Sequence, residues 1–186
     1  DIDNLSDWAK YEWLVKFGKL NFVSPGPARR PMPATVKALF LDFDGVMTDN
    51  RVWTDETGRE TVAASRGDGF GIGMLKKAGI DVVVISKEKN PVVAARCKKL
   101  GIPYEQGVDD KTGIIKREQA KRKLDPSETI FVGNDLNDLP AFPLVGWGVA
   151  VADSAPEVLE KADFILSKNG GYGAVREICD LILSRM

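Results

Sequence analysis

Two carboxylates, Asp42 and Asp44, end an apolar run, Ala38 to Leu41, and are followed by Gly45. An unpaired buried carboxylate is costly, so a buried strand that finishes in two acids points to a cation or to charge that develops in a reaction. A carboxylate is a weak nucleophile, and a phosphate dianion repels it unless a cation neutralises both. A second carboxyl two residues on can protonate a leaving oxygen if its surroundings keep it protonated part of the time. Alternation along an extended chain puts Asp42 and Asp44 on one side and Phe43 on the other. Thr48 completes this first site. The competing reading is a turn with a helix-capping acid at Asp44–Gly45.

Three further sites sit at a strand end or a helix start. Ser86 follows the apolar run Val82–Ile85 and can donate to a phosphate oxygen, although serine before a helix is more often an N-cap. Lys111 opens a helical stretch after Asp109–Asp110, where an ammonium and helix-start amides can hold an anionic phosphoryl group. Its bland alternative is a solvated lysine beside two acids. Gly133-Asn134-Asp135-Leu136-Asn137-Asp138 follows the apolar run Thr129–Val132 and packs oxygens into a strand-to-helix turn, a donor set for Mg²⁺. That segment also reads as a capped Asn/Asp turn. Gly170-Gly171-Tyr172-Gly173 lacks the rest of a dinucleotide fingerprint and reads as a breaker before a helix.

The elements that must position these groups alternate along the chain. Strands are expected at 37–42, 80–85, 129–132, 148–151 and 163–166. Helices are expected at 69–78, 91–100, 112–123, 136–142, 155–161 and 173–184, and a hairpin at 51–63 with Thr57–Gly58 in its turn. This order predicts an α/β fold with a Rossmann-like, doubly wound parallel sheet, a β-hairpin flap and no cap domain. An aromatic helix at 7–17 and a proline-rich linker, Ser24–Pro33, precede it. Residues 1–35 are therefore read as a tail and linker, and 36–186 as the main domain.

Composition narrows the chemistry. The 186 residues carry a net charge of −1, so no basic footprint for nucleic acid or anionic membrane is present. No apolar run approaches the roughly 20 residues that span a bilayer, and no signal peptide is visible, so a cytoplasmic location is expected. The chain has no histidine, which excludes a Ser-His-Asp triad and a His-ligated zinc site. Cys97 and Cys179 sit singly in helical patterns and read as reduced thiols.

In order and spacing the four sites resemble the haloacid dehalogenase superfamily of phosphohydrolases. Asp42-Phe43-Asp44-Gly45-Val46-Met47-Thr48 looks like its first motif, Ser86 its second, Lys111 its third and Gly133-Asn134-Asp135 with Asp138 its fourth. Arg66-Gly67-Asp68-Gly69 and Gly170-Gly171-Tyr172-Gly173-Ala174-Val175-Arg176-Glu177 resemble segments of the capless subfamily that dephosphorylates eight- and nine-carbon sugar acids. The resemblance implies Asp42 as nucleophile, Asp44 as acid and base, and Ser86 and Lys111 on the phosphoryl oxygens. It also implies Mg²⁺ held by Asp42, the Asp44 carbonyl and Asn134, with Asp135 and Asp138 orienting that shell. Arg66, Lys87 and Arg176 are the candidates for holding the substrate carboxylate, since a sugar acid needs a cationic partner, and Thr48 is a further substrate-binding candidate. A homotetramer, in which neighbouring subunits cover one another's sites, is implied as well.

Asp1-Ile2-Asp3-Asn4-Leu5-Ser6-Asp7-Trp8 looks like the closing segment of acylneuraminate cytidylyltransferases. On that resemblance the expected substrate is an acylneuraminate 9-phosphate, in a domain joined to such a synthetase. The alternatives are the 3-deoxy-D-manno-octulosonate 8-phosphate and a non-catalytic tetramerisation domain. Asn134 stands where the family commonly has an acid, Gly67 where a basic residue is frequent, and Lys87 where smaller residues are common.

Overall fold

The strand Ala38–Leu41 (β1) is fully buried because both faces of the sheet are covered. Leu39 and Leu41 pack into one apolar cluster, and Ala38 and Phe40 into another on the opposite face. Period-two alternation inside two layers of helix requires apolar residues at every position, which is why β1 reads as a continuous run. The computed structural model describes residues 29–186. The helix expected at 7–17 and the acids Asp1 and Asp3 lie outside the described residues.

After β1 the chain makes a short hairpin, Trp53–Thr54 (β2) against Glu60–Thr61 (β3), antiparallel with Trp53 opposite Thr61. Helix Arg66–Lys77 (α1), strand Asp81–Ile85 (β4), helix Val92–Leu100 (α2) and strand Tyr104–Glu105 (β5) follow. Then come helix Lys111–Arg122 (α3), strand Thr129–Gly133 (β6), a 3₁₀ segment Leu136–Leu144 and strand Trp147–Ala150 (β7). Helix Pro156–Lys161 (α4), strand Phe164–Ile165 (β8) and helix Ala174–Leu183 (α5) complete the described part. The six-stranded sheet runs β5-β4-β1-β6-β7-β8, and every pairing in it is parallel. Buried side chains of α1, α2 and α5 belong to one cluster; those of α3, the 3₁₀ segment and α4 belong to the other. The doubly wound fold expected from the alternation of elements is the fold observed.

Three local expectations change. α1 starts at Arg66 rather than 69, because the Ser65 side chain accepts from the Asp68 N–H and caps it. A cap outweighs the two glycines in that first turn. β5 is an added edge strand, only two residues long, at Tyr104–Glu105. The segment expected as a helix at 136–142 is 3₁₀, with Pro140 and Pro143 inside it. Proline removes amide donors that an α-helix needs.

The described end of the proline-rich linker is docked on the sheet. The Arg30 guanidinium donates to Asp163 and to the Val145 and Phe142 carbonyls, and the Trp147 indole N–H donates back to the Arg30 carbonyl.

Candidate active site

The sheet reverses its direction of strand addition between β1 and β6, so the crevice at their carboxyl ends is where such a fold binds ligands. Asp42 stands there, at the end of β1, and its N–H donates to the Val132 carbonyl of β6. Gly45 turns the chain directly afterwards with φ +79°, and a Cβ there would lie 2.0 Å from the Asn134 amide. Glycine therefore lets the β1 turn and the β6 turn touch.

Lys111, at the first position of α3, reaches into this contact with a side chain only 2% exposed. Its ammonium lies 2.7 Å from Asp42 Oδ1 and 2.6 Å from Asp138 Oδ1. Asp138 Oδ2 accepts from the main-chain N–H groups of Asn134 at 2.9 Å and Asp135 at 3.2 Å. One buried carboxylate thus fixes both the lysine and the loop that carries Asn134. Asp135 caps the 3₁₀ segment by accepting from the Leu136 N–H, and its exposed side chain borders the crevice.

Burial raises both leading acids. Burial, then the Asp138 charge, push the Asp42 carboxyl up to about 7, while Lys111 opposes the rise. Asp44 is also raised, first by burial and then by the nearby Glu88 carboxylate. For Asp44, a carboxyl held above its ordinary range is suited to giving up a proton. The neighbouring carboxylates Asp42 and Asp138 outweigh the desolvation of Lys111 and hold its ammonium protonated.

The Asn134 amide provides the test of a metal site. One of its polar ends lies 3.2 Å from Asp42 Oδ2 and 2.9 Å from the Asp44 carbonyl oxygen. With nitrogen at that end, the amide donates to both oxygens. With oxygen there, a carboxylate, a carbonyl and an amide oxygen converge. Neighbouring ligands of octahedral Mg²⁺ at 2.0–2.1 Å stand about 2.9 Å apart, so the spacing fits that ion. No three His, Cys, Asp or Glu side chains among the described residues are placed to hold a metal ion together; this donor set is mixed instead.

Ser86, at the end of β4, is buried, and its Oγ accepts from the Glu88 N–H at 3.0 Å. The hydroxyl therefore caps its loop and keeps its own proton for a ligand. Asp42, Asp44, Ser86, Asn134 and Asp135 all line one crevice of about 560 Å³.

A family model for haloacid dehalogenase-like hydrolases matches residues 104–178. The chain is 38% identical over 151 residues to the 3-deoxy-D-manno-octulosonate 8-phosphate phosphatase of Yersinia pestis, covering 81% of each chain. The chain belongs to the haloacid dehalogenase-like hydrolases. It is a phosphatase by that kinship. Phosphatases of this superfamily use Mg²⁺. A haloacid dehalogenase family structure from Streptomyces avermitilis is 46% identical, with a TM-score of 0.80, covering 84% of this chain and 90% of that one. The octulosonate 8-phosphate phosphatase of Moraxella catarrhalis, solved with magnesium, phosphate and the free sugar acid, is 35% identical. Its TM-score is 0.78, with 81% of this chain and 87% of that one covered.

Within this hydrolase the substrate candidates separate. Lys87 lines the crevice. Thr48 does not: its buried Oγ accepts from the Gly45 and Asn50 N–H groups and shapes the nucleophile turn. Arg66 is exposed at the start of α1 and lies outside the crevice lining. Arg176 is also outside it; its guanidinium pairs with Asp180 and lies over the Phe70 ring. Arg66 opens α1 three residues before its expected start, and Arg176 sits in the first turn of α5, where a helix is expected. Arg51 and Glu60 also border the crevice, though no sequence motif marks them. Their signal is weak, since only the path of the hairpin segment brings them to the crevice beside Asp42 and Asp44.

Proposed function

We propose that this chain is a Mg²⁺-dependent phosphomonoesterase for a 2-keto-3-deoxy sugar-acid phosphate, with 3-deoxy-D-manno-octulosonate 8-phosphate the first candidate. The observation that carries it is the convergence of Asp42, Asn134 and Lys111 in a chain 38% identical to an octulosonate 8-phosphate phosphatase. The preference for a nine-carbon acylneuraminate substrate rests on residues 1–8, and the joined synthetase on those residues with the proline-rich linker. That reading becomes the second.

In the first step the Asp42 carboxylate attacks phosphorus and forms an aspartyl-phosphate, while Asp44 gives its proton to the departing sugar oxygen. In the second step Asp44 takes a proton from water, and the attacking oxygen releases phosphate and the Asp42 carboxylate. Lys111 and the Ser86 hydroxyl hold the phosphoryl oxygens as their charge redistributes. Asp42, the Asp44 carbonyl and Asn134 hold the metal, which supplies charge neutralisation between nucleophile and phosphate. Asp138 and Asp135 keep its loop in place. The hairpin, with Val52 and Trp53 51% and 72% exposed, is the proposed contact of a homotetramer.

Phosphate release with Mg²⁺ tests the reading on four substrates: the octulosonate 8-phosphate, an acylneuraminate 9-phosphate, its deaminated analogue and an aryl phosphate. The octulosonate should be turned over best and Asp42→Asn should be inactive. Equal hydrolysis by Asp42→Asn sinks the mechanism. A preference for a nine-carbon substrate installs the second reading.

A further inference from the structure

Three cations border the crevice, Arg51, Lys87 and Lys89, while Lys111 lies buried behind Asp42. They differ in how they are held. The Lys89 stem lies against Gly107, and no hydrogen bond or ion pair of the Lys87 side chain occurs among the described residues. Arg51 is built into a frame. Its Nε and Nη2 donate to Asp49 Oδ2 at 2.9 and 2.7 Å, and Nη2 also donates to the Tyr172 hydroxyl at 3.0 Å. Its Nη1, with two N–H groups, has no partner among the described residues.

The Asp49–Arg51 pair is exposed on the arginine side, with the side chain 70% accessible. Such a pair contributes little to stability. Its consequence is orientation: a long side chain that would otherwise sample many rotamers is fixed before a ligand arrives. Two of the other acids that border the crevice are already engaged. Glu60 accepts from the Asn90 amide, and Glu88 from the Lys89 and Asn90 N–H groups.

We propose that Arg51, held by Asp49 and Tyr172, receives the substrate carboxylate and so selects sugar-acid phosphates over neutral ones. This rests on the substrate class proposed above. Lys111 and Ser86 serve the phosphoryl end, so a second anionic group needs its own cation, and the planar guanidinium suits a carboxylate better than an ammonium does.

The test compares KM and kcat for the octulosonate 8-phosphate, a neutral sugar phosphate and an aryl phosphate in wild type, Arg51→Ala, Arg51→Lys, Tyr172→Phe and Lys87→Ala. Arg51→Ala should raise KM for the sugar-acid phosphate about 10- to 50-fold, as loss of one charged hydrogen bond predicts, with aryl phosphate kinetics unchanged. Arg51→Lys should recover only part of that loss, and Tyr172→Phe should show a smaller rise. A preference that survives Arg51→Ala, or that Lys87→Ala removes instead, overturns the proposal and leaves the substrate class standing. A wild type that hydrolyses acid and neutral sugar phosphates equally overturns both. Circular dichroism of each variant separates these outcomes from misfolding.

Discussion

The Lys111 ammonium lies 2.7 Å from Asp42 in a pocket where the lysine side chain is 2% exposed and the aspartate 8%. Two buried carboxylates, Asp42 and Asp138, share this one cation. Lys111→Met should therefore leave two uncompensated acids and cost about 3–5 kcal/mol in the metal-free protein. It should also lower kcat by at least about 100-fold, because a preorganised charge on the phosphoryl group is lost. Denaturant unfolding and steady-state kinetics measure the two effects. A variant with near-normal kcat would remove Lys111 from the chemistry.

Asn134 has two uses for one amide: its nitrogen can donate to Asp42 and Asp44, or its oxygen can join them around a cation. Asn134→Asp removes the donor and adds a charge. The metal-free melting temperature should fall, and the rise on adding Mg²⁺ should exceed that of wild type by the equivalent of about 1.4 kcal/mol for a tenfold gain in affinity. Thermal shift with and without Mg²⁺ reads this without any substrate. An unchanged Mg²⁺ response would place the metal elsewhere.

Asp68 is buried at the start of α1, with Oδ1 accepting from the Arg176 N–H at 2.9 Å and Oδ2 without a partner among the described residues. Burial pushes its carboxyl up to about 6 from 3.8. A folded-state value above the unfolded one means that the native state holds the extra proton. The contribution of this group is complete below about 3.8 and is lost as pH rises through about 6. Wild type should lose on the order of 2 kcal/mol relative to Asp68→Asn between pH 4 and 7.5. Parallel melting curves for the two proteins across that range would contradict the assignment.

The loop Gly170–Gly173 braces the nucleophile turn. The Gly171 N–H donates to the Val46 carbonyl, and the Gly170 N–H to Asp153. A Cβ on Gly170 would sit 1.9 Å from the Gly45 carbonyl oxygen. Gly170→Ala should displace the turn between Asp42 and Thr48, costing about 2–4 kcal/mol and lowering kcat. Gly58→Ala is the control: a Cβ there meets nothing, so only backbone strain of about 1–2 kcal/mol is expected, with kcat intact. Equal kcat in the two variants would refute the brace.

The chemistry at β1 was legible in the chain because it is local. An apolar strand that ends in Asp42 and Asp44, a serine after β4, and an Asn/Asp turn after β6 each announce themselves within a few residues. The alternation of elements also specified the doubly wound sheet, since strand and helix periods are encoded along the chain. Packing decided the rest. Asp138 joins Lys111 to the Asn134 loop only because α3 and β6 meet at the sheet reversal. Thr48, Arg66 and Arg176 fall outside the crevice because hydrogen bonds and helix positions, not residue type, aim their side chains. Arg51 and Glu60 enter it because a short hairpin folds back to border the crevice. Tyr172 reaches Arg51 across 121 positions of sequence. Side-chain periodicity carries no record of such long-range contacts, since it reports which face of an element is covered and not what covers it.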